Sequence, residues 1–361
     1  MSARSDTARG DERSAPSEAF VTLLGTAGGP TPLPGRSGIC TALTVKGATY
    51  IIDMGHGSFT QLHNAGLDVA DVRGVFVTHL HSDHVSELYQ LPFLRHGGLG
   101  GLKRPLHIVG PGRAGALPPA RGGRQVPTVA PENPTPGTVD LIEHTTAAMA
   151  YDLNIRIRDE GWHDIRTRIV PRDIEIPSVG AAADGDLCPD MEPFVIFEDE
   201  HVRVSAVLVV HPPVFPAFAF RLDTAFGSVV VSGDTAPSEN LVRLASGADI
   251  LVHEVIALDW VRSQALAPGI AEHLEESHTS VDRVGAVAES AGVHTLALSH
   301  LVPADVTAVK DEEWARRARR GFTGKVLVGR DLLKIEMPGG GLPSETPGLK
   351  GRQETVSGAI S

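Results

Sequence analysis

The chain has 361 residues, 42% of them hydrophobic, and a formal net charge of −12. Its length suffices for a large buried core, and the negative charge disfavours polyanions, so nucleic acid is not the expected partner. The two cysteines, Cys40 and Cys188, show no CxxC spacing and give no sign of a disulfide framework or a thiolate zinc site, which fits a cytoplasmic setting. Because no segment resembles a signal peptide or reaches the ~20 apolar residues of a spanning helix, we expect no membrane association.

The two ends differ in composition from the body of the chain. Residues 1–18 are small and charged, and residues 338–361 are rich in Gly, Pro and Ser, so both are predicted to be disordered tails around a single domain at 19–337. The body opens with short runs that are typical of strands and then reaches a predicted helix at 85–95. The predicted strands cover residues 20–24, 40–45, 48–53 and 74–78.

The middle of the chain, residues 113–193, is punctuated by Gly and Pro and is too long for an ordinary connection in a compact domain. We therefore predict an inserted lid there. Regular patterns resume afterwards, with predicted helices at 241–246 and 281–291 that each lead into an apolar strand. The predicted strands of this half cover residues 194–197, 202–210, 217–222, 228–232, 250–253 and 295–299. Strands in both halves with helices after them predict an α/β layered sandwich.

Four metal-competent side chains, His79, His81, Asp83 and His84, follow the buried strand at 74–78. Residues i and i+2 of an extended chain point the same way, so His79 and His81 can face one ion. Asp83 and His84 lie where the chain turns into a helix and can face a second. Imidazole and carboxylate without thiolate favour zinc and leave coordination positions open for catalysis. The sequence therefore predicts two zinc ions per chain, with Mn²⁺ or Fe²⁺ as possible substitutes.

The run His79-Leu80-His81-Ser82-Asp83-His84 resembles the HxHxDH signature of the metallo-β-lactamase superfamily. The resemblance extends over about residues 19–335 and implies an αββα sandwich. Three downstream segments are similar to the later ligand motifs of that superfamily: Val210-His211-Pro212, Ser232-Gly233-Asp234-Thr235 and Leu298-Ser299-His300. The resemblance implies that Asp234 bridges both ions. It assigns the remaining ligands to a first ion held by His79, His81 and His211 and a second held by Asp83, His84 and His300.

Two further segments resemble one branch of this superfamily, which includes tRNA 3′-processing endonucleases and arylsulfatase-like and phosphodiesterase-like enzymes. They are Leu251-Val252-His253-Glu254 and Ser277-His278-Thr279-Ser280. By this resemblance His278 is the general acid and Glu254 orients its ring, while Asp83 also orients or deprotonates the attacking water. A homodimer is possible because dimers are common in this branch.

Departures from the tRNA-processing enzymes bear on the substrate. The tRNA-processing enzymes have a Pro-x-Lys-x-Arg-Asn-like loop, and this chain has Pro32-Leu33-Pro34-Gly35-Arg36-Ser37 in its place. They also have an Arg-Tyr pair, which is replaced here by Leu301-Val302-Pro303. The insertion has no run of Lys, and its nearest approach to the basic arm of that family consists of Arg104, Arg113, Arg121 and Arg124. An apolar set could instead wall a pocket for a small organic molecule: Met149, Tyr151, Leu153 and Trp162.

These departures favour a zinc-dependent hydrolase of a small ester-like substrate, such as a phosphodiester, an aryl sulfate or a carboxylic ester or ether. Two alternatives stay open from the sequence. One is a tRNA 3′-processing endonuclease, with nucleic acid as a possible but disfavoured substrate. The other is an iron-dependent oxidoreductase on the same fold.

Overall fold

The computed structural model describes residues 18–98 and 101–339. Most of the two predicted tails, residues 1–17 and 340–361, lies outside the described residues. In the described part, no helix is long and apolar enough to cross a membrane.

Fourteen strands are found in the described part, in two sheets of seven. The first sheet contains β1 (Ala19–Gly25), β2 (Cys40–Val45), β3 (Ala48–Ile52), β4 (Val72–Phe76), β5 (Leu106–Pro111) and β6 (Ile169–Ile174) in this spatial order. The second contains β7 (Phe194–Glu198), β8 (Val202–Leu208), β9 (Phe218–Thr224), β10 (Gly227–Val231), β11 (Ile250–Ile256), β12 (Thr295–Val302) and β13 (Lys325–Val328), also in spatial order. The last strand, β14 (Leu333–Glu336), returns to the first sheet and pairs with β1.

Ten α-helices are found in the described part. They are α1 (Ser58–Asn64), α2 (Ser82–Val85), α3 (Gln90–Arg95), α4 (Thr138–Ala148), α5 (Ala150–Asp159), α6 (Glu239–Leu244), α7 (Leu258–Ser263), α8 (Pro268–Ser277), α9 (Val281–Ala291) and α10 (Asp311–Ala318). Helix α4 contacts β5 and β6 of the first sheet, while α9 contacts β11 of the second. The layer order is thus helix, sheet, sheet, helix, which confirms the predicted αββα sandwich.

The main core lies between the two sheets. Phe76 on β4 is fully buried there, with its ring 5.4 Å from that of Phe197 and 6.1 Å from that of Phe220 on the opposite sheet. A second apolar cluster includes Ile51 and Val75, whose side chains point away from this interface toward the helices. Alternate residues of one strand therefore fill two different cores, as the two-residue period of a strand requires.

Several elements differ from their predicted bounds. The helix predicted at 85–95 is two short helices, α2 and α3, separated by residues 86–89. Pro92 explains part of this break, because it has no backbone N–H to donate to a carbonyl oxygen of the preceding helical turn. Glu87 in the gap turns instead toward α1, where its carboxylate accepts the backbone N–H groups of Gly57 and Phe59.

The segment predicted as an inserted lid, residues 113–193, contains regular elements of the fold. It supplies α4, α5 and the edge strand β6, which pairs in parallel with β5. Only the stretches on either side of these elements lack longer helices or strands. The description of residues 113–193 as an insertion stays a prediction. Movement of the segment as a lid stays a prediction.

The parallel part of each sheet determines where loops meet. Strands β3 to β6 of the first sheet are parallel, as are β10 to β13 of the second. Carboxyl ends of parallel strands lie at the same edge of a sheet. The loops after β3, β4, β10 and β11 therefore converge at one edge of the sandwich.

Candidate metal centre

The ligand loop begins where β4 ends. The carboxylate of Asp53 accepts the backbone N–H of Thr78 at 2.8 Å and the Thr78 hydroxyl at 2.8 Å, which holds the start of the loop at the sheet edge. His79 follows and is completely buried, while His81 is half-buried. The next residues, Asp83 and His84, lie in the single turn of α2 and are buried.

The structure brings all seven predicted ligands together. The first half-site consists of His79, His81 and His211, whose ligand atoms lie within 4.8 Å of one another and of Asp234. The second half-site consists of Asp83, His84 and His300, whose ligand atoms also lie within 4.8 Å of one another. Residues from four different strand ends thus converge on two adjacent positions.

Asp234 lies between the two half-sites. Its Oδ2 atom is 3.4 Å from Nε2 of His84 and 3.3 Å from Nε2 of His300. The same oxygen is 3.9 Å from Nε2 of His79 in the first half-site. This placement fits a carboxylate that bridges two ions.

The donor set fits divalent metal ions. The buried atoms of the centre that have no hydrogen-bond partner among the described residues include Nε2 of His79, Nε2 of His84 and Oδ1 of Asp234. Buried polar atoms are rarely left unpaired, because desolvation without a partner is costly. All three are nitrogen or oxygen atoms of the type that binds zinc in catalytic sites.

Protonation in the first half-site favours metal binding. Burial lowers the pKa of all three imidazoles, to about 3 for His211. Nδ1 of His211 donates to the carbonyl oxygen of Ser277 at 3.0 Å. The neutral ring therefore presents the lone pair of Nε2, which lies 3.3 Å from Nδ1 of His81. Neutral imidazole is the form that binds metal.

The carboxylates of the centre are held in their ionised form. Burial raises the pKa of Asp83, but the hydrogen bond from His300 and the charges around it outweigh burial and lower the pKa overall. Asp234 shows the same balance, since burial raises its pKa while His300 and His84 bring it well below the usual range. Both residues can thus act as anionic ligands.

A possible proton donor lies at the rim of the centre. Nδ1 of His278 is 3.4 Å from Oε1 of Glu254, and that oxygen accepts the backbone N–H of Thr279 at 2.7 Å and of Thr235 at 3.3 Å. Burial lowers the pKa of His278, but Glu254 outweighs it and raises the pKa to about 9. This arrangement fits the role of general acid that the resemblance implies. His278 also forms a third candidate ligand group with Asp234 and His300.

Two residues near the centre were missed by sequence reasoning. Asp53 orients His84, with 2.8 Å between its Oδ2 and Nδ1 of His84. The available signal was an aspartate directly after a buried strand next to the ligand strand. His273 on α8 is the second, with its ring 5.8 Å from that of His81 and 5.5 Å from that of His211. No local motif marked it, because α8 reaches the centre only through the fold.

The apolar pocket predicted from Met149, Tyr151, Leu153 and Trp162 is not formed by these residues together. Leu153 lines a cavity of about 610 Å³ between α5 and β6, but Tyr151 is 83% exposed. Trp162 packs elsewhere, with its ring 4.9 Å from that of His96. The prediction was wrong because side chains close in sequence point to different sides of a helix.

The predicted arginine group is also dispersed. Arg113 pairs with Asp140 at 2.6 Å, and Arg104 lines a cleft together with Asp199 and Glu200. Arg124 lines a different cleft at the beginning of α8. The side chain of Arg121 lies outside the described part. Arg104, Arg113 and Arg124 thus have different surroundings.

Comparison with known proteins shows relatives along most of the chain. Residues 37–97 match the family described as Anti-Pycsar protein Apyc1. Ribonuclease Z of Mycobacterium bovis (strain BCG / Pasteur 1173P2) is 32% identical over 320 residues, covering 88% of this chain and 98% of that protein. Ribonuclease Z of Mycobacterium tuberculosis strain H37Rv is 31% identical over 319 residues, covering 88% and 97%.

Solved structures agree on the fold. The metallo-beta-lactamase fold protein YhfI from Bacillus subtilis superimposes with a TM-score of 0.57 at 16% identity, covering 88% of this chain and 99% of that one. The short form of human tRNase Z gives a TM-score of 0.57 at 21% identity with the same coverage. The chain therefore belongs to the family of its Ribonuclease Z relatives, metal-dependent hydrolases of the metallo-β-lactamase superfamily.

Proposed function

We propose that the protein is an endonuclease that hydrolyses a phosphodiester bond of RNA at the 3′ end of precursor tRNA. This ranking is the reverse of the one drawn from the sequence, which placed a small ester first. The observation that carries the proposal is the match to proteins named Ribonuclease Z over 98% of their length. The match extends over 88% of this chain, so it is not confined to the ligand loop.

The proposed chemistry distributes roles among the residues of the centre. One ion would be held by His79, His81 and His211, and the other by Asp83, His84 and His300. Asp234 would contribute to both positions. Two bound dications, most simply zinc, would polarise the phosphodiester and lower the pKa of the attacking water. Asp83 orients that water. Nε2 of His278 delivers a proton to the departing oxygen, while Glu254 keeps the ring in the required orientation.

A small phosphodiester is the second candidate, and the charge distribution favours it. The chain has a net charge of −12, and two of the predicted arginines lie beside carboxylates: Arg113 pairs with Asp140, and Arg104 lines a cleft with Asp199 and Glu200. RNA binding depends strongly on concentrated positive charge that releases counterions. The relatives give no support to aryl sulfates or carboxylic esters as substrates, and their hydrolase names favour hydrolysis over iron-dependent oxidation.

A substrate panel separates the candidates. We expect the zinc-loaded protein to cut a precursor tRNA at a single site near its 3′ end and to leave bis(p-nitrophenyl) phosphate, p-nitrophenyl sulfate and p-nitrophenyl acetate largely intact. His79→Ala should abolish cleavage, while His144→Ala, on the exposed face of α4, should not. Turnover of the phosphodiester with intact tRNA would favour the second candidate, and turnover of the sulfate alone would refute both.

Elemental analysis tests the metal. We expect about two zinc ions per chain after purification without chelators, because the two half-sites and Asp234 together offer seven ligands. About one iron per chain without zinc would contradict the proposed hydrolase and revive the oxidoreductase.

A further inference from the structure

Asp331 lies in the turn between β13 and β14, far along the chain from the residues it contacts. Its Oδ1 accepts the hydroxyl of Thr26 at 2.8 Å. Its Oδ2 accepts the backbone N–H of Ser37 at 2.6 Å and the amide of Gln61 at 3.0 Å. One carboxylate therefore joins the β13–β14 turn to the loop after β1, to the segment before β2 and to α1.

The Thr26 hydroxyl is held from a second side by Arg36. The Arg36 side chain is buried, and its Nη1 donates to Thr26 Oγ1 at 2.7 Å and to the carbonyl oxygen of Gly329 at 2.7 Å. The hydroxyl thus donates to Asp331 and accepts from Arg36. Charged partners strengthen both hydrogen bonds, so the position of Thr26 is determined by groups outside the metal centre.

The loop that Thr26 opens, residues 26–29, reaches the second half-site. The first residue of the loop lies against β12. The carbonyl oxygen of Thr26 accepts the N–H of Leu301, the residue after His300, at 3.0 Å. At its other end, the N–H of Gly29 donates to Oδ2 of Asp83 at 3.1 Å. Between them, Gly28 leaves room for the His300 ring, because a Cβ there would lie 2.8 Å from Nδ1 of His300. The loop therefore contacts two of the three ligands of this half-site.

The first half-site is supported differently. His211 is oriented by the carbonyl oxygen of Ser277 at the end of α8, and His79 follows the loop start that Asp53 holds. Asp331 acts on neither of these supports. Loss of its carboxylate should consequently affect the two half-sites unequally.

We propose that Asp331 is a positioning residue for the second half-site and acts through loop 26–29. The inference rests on the two-metal site of the proposed function. Groups that orient metal ligands change metal affinity by about 10–100-fold when they are removed. Because Asp331 acts through an intermediate loop, we expect an effect of about tenfold, at the lower end of this range.

A metal titration without substrate tests the proposal. Apoprotein is titrated with Zn²⁺ in competition with a chromophoric chelator, and the affinities of the two equivalents are fitted separately. We expect Asp331→Asn to weaken one equivalent by about tenfold and to leave the other unchanged. Thr26→Val should have the same effect. The double variant should bind zinc with the same affinity as either single variant, because Asp331 acts on the half-site through Thr26. The matched control is Asp71→Asn, which removes an exposed ion pair with Lys103 and should bind as wild type does.

A conservative variant separates positioning from general structural support. Thr26→Ser keeps the hydroxyl and should restore wild-type affinity for both equivalents. If Asp331→Asn fails to fold, the comparison of Thr26→Val with Thr26→Ser decides. Equal affinity of wild type and Asp331→Asn for both equivalents, or equal weakening of the two, would overturn the positioning role alone. Binding of a single equivalent by wild type would instead overturn the two-metal site.

Discussion

The carboxylate of Asp53 contacts both ends of the ligand loop: one oxygen accepts the backbone N–H of Thr78, and the other lies 2.8 Å from Nδ1 of His84. Thr78 precedes the first ligand, and His84 is the last one in the loop. The φ angle of +57° at Asp53 turns the chain at the end of β3 so that the carboxylate can reach both. With Nδ1 engaged, His84 presents Nε2 toward Asp234.

Asp53→Asn should weaken metal binding by about 10–100-fold, because the ring of His84 loses its anionic partner. Asparagine tolerates a positive φ, so the backbone of this variant should be preserved. Titration of the apoprotein with Zn²⁺ measures the effect. The control is Asp152→Asn, which changes a surface ion pair on α5, and wild-type zinc affinity in Asp53→Asn would contradict the role given to this residue.

His278→Ala should lower kcat by about 10²–10⁴-fold on the substrate identified by the panel, with two metal ions still bound per chain. Glu254→Gln should have a smaller effect in the same direction, because the ring stays in place but loses its charged partner. Turnover and metal content are measured on the same preparations. Loss of one ion in His278→Ala would show that this residue is a metal ligand together with Asp234 and His300.

Asp282 gives a prediction for the dependence of stability on pH. Arg317 donates to it through two nitrogens, at 3.1 Å and 2.5 Å, and this interaction holds the pKa of Asp282 below its usual range. Because the pKa is lower in the folded state, the pair stabilises the fold above the unfolded pKa of about 3.9, and this stabilisation is lost as the pH falls through the folded pKa. Asp282→Asn should thus lower stability by about 1 kcal/mol at pH 7.

Thermal unfolding across a pH series checks this expectation. The difference in Tm between wild type and Asp282→Asn should shrink as the pH falls below the unfolded pKa of about 3.9, because the wild-type carboxyl is then progressively protonated. Glu313→Gln removes a more exposed pair with Arg316 and should change Tm little at any pH. A constant difference for Asp282→Asn at every pH would show that the charge is not responsible.

Phe76→Ala should destabilise the fold by about 3–5 kcal/mol, because this ring is fully buried between the sheets and its loss leaves a cavity beside Phe197 and Phe220. Equilibrium unfolding in urea, with zinc held constant, measures the change. Tyr151→Ala removes a ring that is 83% exposed and should stay within about 0.5 kcal/mol of wild type. Similar stabilities for the two variants would contradict the assignment of the main core.

Much of the centre could be predicted because its ligands follow strands in short motifs. His79 to His84 lie within one loop, so local pattern and spacing were sufficient to propose the ligands in it. His211, Asp234 and His300 were proposed from the resemblance to the motifs of the metallo-β-lactamase superfamily. The edge elements were harder. Strand β6 and the short strands β13 and β14 have few fully buried residues, and a weakly alternating run cannot be told from a loop without knowledge of its neighbours.

Periodicity is a local property, so the sequence was sufficient to predict the layered α/β architecture and the four candidate ligands after β4, and the resemblance to superfamily motifs supplied the other three candidates. The groups that support these ligands are visible only in the folded chain. Asp331 and Thr26 are 305 residues apart, and Gly29 and Asp83 are 54 apart. Such pairs meet because the sheets bring distant strand ends to one edge. A single Asp or Gly in a loop carries no periodic signal by which this meeting could be predicted.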